Sequence, residues 1–105
     1  MAGVKIEQGT LTHRKTLRLK GLLGIGVAQA VGHLTMLWVW AANNAKDGSL
    51  VGLTPTEIAE VSGWAGEPAD FMAALVDAGY IDHTPDGFRL HDWAGNTGQI
   101  EAEAR

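Results

Sequence analysis

The stretch YIDHTPDGFRLHDW gathers the side-chain types that bind divalent metals: His83 and His91, with Asp82, Asp86 and Asp92 beside them. Imidazole and carboxylate donors suit such an ion only when three or four of them converge. In an extended segment successive side chains alternate between faces, which divides this set, so no metal site is expected. The glycines of GLLGIG, residues 21–26, invite comparison with a phosphate-binding loop. The Lys-Ser/Thr pair and the preceding strand that such a loop needs are missing, so these glycines are read as loosening a helix junction. No nucleophile, base and orienting group stand in a catalytic pattern. The sequence therefore predicts a protein that is not an enzyme and uses no cofactor.

Charge offers a different chemistry. Arg14, Lys15, Arg18 and Lys20 crowd one short segment next to His13, Arg89 lies far downstream, and acidic residues dominate after Asp47. Cations at this density can meet phosphates, so Arg14, Lys15, Arg18, Lys20 and Arg89 are the candidate DNA-backbone contacts. The formal net charge of −4 and pI near 5.4 exclude a chain that coats nucleic acid by bulk electrostatics. Any such contact is local and weak. The chain also has no cysteine, which removes disulfides and thiolate metal sites and fits a reducing, cytoplasmic setting.

The elements that must position these residues begin with an uncharged run from Gly21 to Ala45. By length it reaches the roughly 20 residues of a bilayer span, and its basic flank and Trp38 and Trp40 imitate an oriented one. At 100° per residue, however, Val27, Val31, Leu34, Trp38, Ala42 and Ala45 fall on one face, and Gln29, His33, Met36, Trp40 and Asn43 on the other. Lipid gives a stripe of Gln, His and Asn nothing to bond, and four glycines between Gly21 and Gly32 dilute the apolar character further. The run is read as the central core helix of one small domain, not as a membrane segment. Its half-polar stripe, Gln29, His33, Met36, Trp40 and Asn43, mixes aromatic, flexible and polar groups as interface centres do, and is the candidate protein interface.

Downstream, the punctuation is dense. In TPTEIAEVSG, Thr54 suits an N-cap, Pro55 a first helical position, Glu57 the far side of a capping box, and Gly63 a helix end. Pro68 to Ala78 reads as a second helix closed by Gly79, with Phe71, Ala74, Leu75 and Ala78 as its core stripe. SLVGL is long enough for a short strand only. Two extended segments hinged at Pro85-Asp86-Gly87 then read as a β-hairpin, with Trp93 at its exit covering the core. The expected architecture is α+β, mostly helical: a winged helix-turn-helix over residues 13–98 with a two-stranded wing. Residues 1–12 are read as a flexible arm, and 99–105 as a tail or the start of a truncated helix.

The segments AVGHLTMLWVWA, IAEVSGW, FMAALVDAGYID and GFRLHDWAGNTG together resemble the N-terminal winged-helix domain of phage replisome-organiser and DnaD-like primosomal proteins. The wing GFRLHDW following ALVDAGYID is the most specific part. The resemblance implies a role in DNA replication initiation, by touching DNA or by joining copies of the protein and its loader partners, with no catalysis. Homo-oligomerisation or contact with a replication partner, and weak DNA binding, are the expected associations. A sequence-specific transcriptional regulator is the alternative on fold alone. The second helix of the motif speaks against it, since it carries Glu67, Asp70 and Asp77 and none of the Arg, Lys, Asn or Gln that read base edges.

Overall fold

In the computed structural model, which describes residues 13–93, the uncharged run is broken at Gly24. Helix α1 (Arg14–Leu23) ends there because Gly24 adopts φ 67°, a left-handed conformation that costs glycine nothing. The amides of Gly24 and Ile25 turn back to the carbonyls of Gly21 and Lys20, at 3.3 and 3.1 Å. Helix α2 (Val27–Asn44) then departs at 103° to α1. No single helix among the described residues is long and apolar enough to cross a membrane. The arm expected over residues 1–12 and the tail over 99–105 lie outside the described residues, as do 94–98.

The capping signals downstream act as their chemistry dictates. Helix α3 (Pro55–Val61) starts at Thr54, whose hydroxyl accepts from the Glu57 amide at 3.2 Å while the Glu57 carboxylate accepts from the Thr54 amide at 2.9 Å. Helix α4 (Pro68–Ala78) opens with Pro68 and ends at Gly79. Strands β1 (Ile81–Thr84) and β2 (Gly87–Leu90) form an antiparallel hairpin across Pro85 and Asp86, with Ile81 opposite Leu90 and His83 opposite Phe88. SLVGL supplies less than the short strand expected of it: one bridge, Ser49 to Arg89, on the outer edge of β2. The described residues thus form an α+β fold of four helices and a two-stranded hairpin.

α1 packs on α2 and α4, α3 packs on α4, and α4 leads into β1. Leu19, Leu34, Leu37, Leu50, Ile58, Phe71, Leu75 and Ile81 fill the centre, each at most 1% exposed. Each such apolar side chain contributes roughly 1.5–3 kcal/mol over its exposed state. On α4 the buried residues include all four of the expected stripe, Phe71, Ala74, Leu75 and Ala78. On α2 the buried line differs from the expected face. It runs Ala30, Leu34, Leu37, Ala41 and on to Ala45, rotated toward the half-polar stripe, while Val27, Val31, Trp38 and Ala42 flank it half-buried. The small alanines let neighbouring helices approach closely, and the bulky indoles are left at the margin, where one edge stays wet.

Candidate functional site

The five cations named as phosphate contacts are not equally free. Lys15 donates from Nζ to the Gly79 carbonyl at 3.0 Å, satisfying the half-buried C-terminal end of α4, and lies 5.7 Å from the centre of the Tyr80 ring. Arg18 donates from Nε and Nη2 to one Asp77 carboxylate oxygen, at 3.1 and 2.7 Å. Arg89 donates to the Asp47 carbonyl at 3.1 Å and so ties β2 to the bend after α2. The side chains of Arg14 and Lys20 make no hydrogen bond or ion pair with the described residues. His13 spends its ring on the fold too, since its Nδ1 accepts from the Lys15 amide at the start of α1.

The five residues of the α2 stripe divide in the same way. His33 Nδ1 lies 2.8 Å from the Ser62 carbonyl. A carbonyl only accepts, so Nδ1 carries the proton, and in the neutral ring Nε2 is left to accept from the Gln29 amide at 3.3 Å. The ring also stands edge-on to Trp64 and Phe71, 5.4 and 5.9 Å between centres, and Trp64 stacks on Phe71 at 5.2 Å. His33 therefore joins α2 to the turn between α3 and α4. Met36 lays its thioether against Gly63, where an added Cβ would sit 2.7 Å from Sδ and φ is already 72°. It is still 49% exposed. Trp40 is half-buried against the core, and Asn43 donates to the Val39 carbonyl at 2.9 Å. What faces outward from this stripe is Gln29, Met36 and Asn43, with Val39 beside them.

A third feature has no counterpart in the sequence reading. Between α4 and the hairpin runs a groove of about 380 Å³, lined by Met72, Ala73, Val76, Asp77, His83 and Phe88. The imidazole of His83 stacks on its cross-strand neighbour Phe88, 4.6 Å between centres. The outward positions of α4, Ala69, Asp70, Ala73 and Asp77, are small or acidic. Asp77 is both a wall of the groove and the partner of Arg18.

Two halves of opposite charge result. Residues 13 to 46 hold five Lys or Arg and no Asp or Glu, whereas 47 to 93 hold nine Asp or Glu and a single cation, Arg89. At the seam between them, Tyr80 directs its hydroxyl at Thr16 Oγ1, 2.6 Å away, and burial pushes the phenol above its ordinary pKa while the Thr16 hydrogen bond opposes the shift. Comparisons of the chain with protein-family models, curated proteins and solved structures find no match.

Proposed function

We propose that the chain is a non-catalytic winged-helix module of phage- or prophage-type replication initiation, working in the cytoplasm by protein–protein association, with DNA contact at most weak and independent of sequence. The layout supports the winged-helix reading: a helix, an edge bridge, two helices across a tight turn, then a hairpin whose strands pair in simple register. The observation that carries the functional reading is the outward side of α4. A helix that reads the major groove presents Arg, Lys, Asn or Gln to base edges. α4 presents Asp70, Ala73 and an Asp77 already paired with Arg18 instead, so it offers base edges no donor and leaves Asp70 to repel phosphates.

Cations are displaced to α1, where Arg18 is already neutralised by Asp77 and only Arg14 and Lys20 lack a partner among the described residues. Two cations support a loose, salt-sensitive contact and not a tight one. Exposed apolar groups are in better supply: Leu17 and Leu22 on α1, and Met36 and Val39 on α2. Such groups gain most from a protein partner. The test is an anisotropy titration of short labelled duplexes of unrelated sequence at two salt concentrations. Equal weak binding that salt abolishes, or none, is the expected result. One duplex held more than about 10³-fold tighter than the rest would make the chain a sequence-specific regulator and overturn the proposal.

A further inference from the structure

We infer that the outer edge of β1 takes a third, antiparallel strand from the same chain's own N-terminal segment, Val4-Lys5-Ile6, and that Val4 and Ile6 cover the groove beside α4. The hairpin's own hydrogen bonding opens that edge. Phe88 and Leu90 spend their outward groups on the bend before α3: the Phe88 carbonyl accepts from the Leu50 amide at 2.9 Å, and the Leu90 amide donates to the Gly48 carbonyl at 2.8 Å. Facing residues of an antiparallel pair either bond each other or both turn away. Ile81 and His83, which face Leu90 and Phe88, therefore point their N–H and C=O groups to the other edge of β1, where no strand pairs among the described residues. Ile81 is nevertheless only 1% exposed. Buried backbone groups require partners, and an added strand supplies them in series.

The start of α1 selects the occupant. Lys15 bonds the Gly79 carbonyl and Thr16 meets the Tyr80 hydroxyl, so α1 begins against the two residues that precede β1. From there residues 8–12 span up to about 17 Å when extended, more than the roughly 13 Å of a four-residue strand such as β1. Residues 4–7 thus reach its whole length, and they run antiparallel to it as the chain returns from Thr84 toward Ile81. Val4 and Ile6 are β-branched and alternate with Lys5 and Glu7, the pattern of a strand with one apolar face. With Ile6 opposite Ile81 and Val4 opposite His83, both side chains fall on the face that His83 and Phe88 turn to Met72 and Val76 in the groove. Lys5 then stands opposite Asp82, which bonds His91 on the other face, and this opposite-charge pair fixes the register. The C-terminal residues fit less well. Trp93 packs on Gly48 and donates to the Lys46 carbonyl, beyond the opposite edge of the hairpin, and residues 94–105 hold one large apolar side chain, Ile100. A third strand also closes an edge that otherwise invites pairing with other chains.

The test is NMR on the full chain, comparing the wild type with the double variant Val4→Asp with Ile6→Asp. In the wild type, the methyl groups of Val4 and Ile6 should show cross-peaks to the Phe88 ring. The amides of Ile81 and His83 should exchange with solvent at least about tenfold more slowly than in the double variant, while the amides of α2 and α4 keep their rates. The conservative pair Val4→Ile with Ile6→Val should retain both signals. If the double variant loosens the whole domain, the wild-type cross-peaks decide the matter alone. Absent cross-peaks, or equal exchange at Ile81 and His83 in a double variant that stays folded, overturn the inference. A mixture of differently labelled copies tests the source of the strand: cross-peaks found only between copies place another chain's segment on the edge and overturn it as well.

Discussion

Arg18 and Asp77 are joined across α1 and α4 by two hydrogen bonds to one carboxylate oxygen, the shorter 2.7 Å, although both side chains remain about half exposed, at 58% and 50%. The pair converts what reads as a solvated basic helix face into part of the α1–α4 contact. Exposed pairs of this kind are worth 0 to about 1 kcal/mol. Arg18→Ala should therefore lower the stability measured by urea unfolding by less than about 1 kcal/mol, and the difference should shrink as salt is added.

Thr16 is fully buried and its hydroxyl lies 2.6 Å from that of Tyr80, the chain's single tyrosine. Thr16→Val removes the phenol's partner and should cost on the order of 1 kcal/mol. The raised pKa gives a separate test by the ultraviolet difference spectrum, in which the one phenol titrates and the four tryptophans do not. The folded phenol should titrate above the ordinary value of about 10. Its proton is held more tightly in the folded state, so the associated stability is full below about pH 10 and is lost as pH rises through the folded pKa.

His33 separates fold from interface within the α2 stripe. Its bonds to Ser62 and Gln29 and its contacts with Trp64 and Phe71 lie within one copy. His33→Ala should lower thermal stability by about 2 kcal/mol while leaving the folded chain's mass in solution unchanged. Nitrogen NMR should find the neutral ring protonated at Nδ1. Met36→Ala removes a side chain that is 49% exposed and should change stability by less than about 1 kcal/mol.

How far the sequence reveals this architecture depends on the range of the interaction. Thr54, Pro55 and Glu57 announce α3 because capping is decided within four residues, and Pro85-Asp86-Gly87 announces the hairpin for the same reason. The α2 core line was less legible. Ala30 and Ala41 weigh little on a hydrophobic scale beside Trp38 and Trp40, yet they are what neighbouring helices close upon, and Leu37 falls between the two faces that periodicity separates. The Arg18–Asp77 pair, 59 residues apart, and the groove between α4 and β2 depend on packing that no local pattern encodes. Trp64 offered one unused signal: an indole set in a glycine-rich turn needs a surface to lie on, which Phe71 supplies.

If duplex DNA is touched through the five cations expected to meet phosphates, Arg14 and Lys20 are the contacts, since Lys15, Arg18 and Arg89 already bond within the chain. The double variant Arg14→Ala with Lys20→Ala should reduce the slope of log affinity against log salt by about two, equally for every sequence. An unchanged slope would remove both from the contact.

The most direct test of the central claim is the solution mass of the chain by light scattering, taken alone and then with a mixed-sequence duplex at low and moderate salt. Association between copies predicts at least twice the 11.1 kDa chain mass without DNA, and at most a weak shift with duplex that moderate salt abolishes. A monomer that binds one duplex tightly at moderate salt would contradict it.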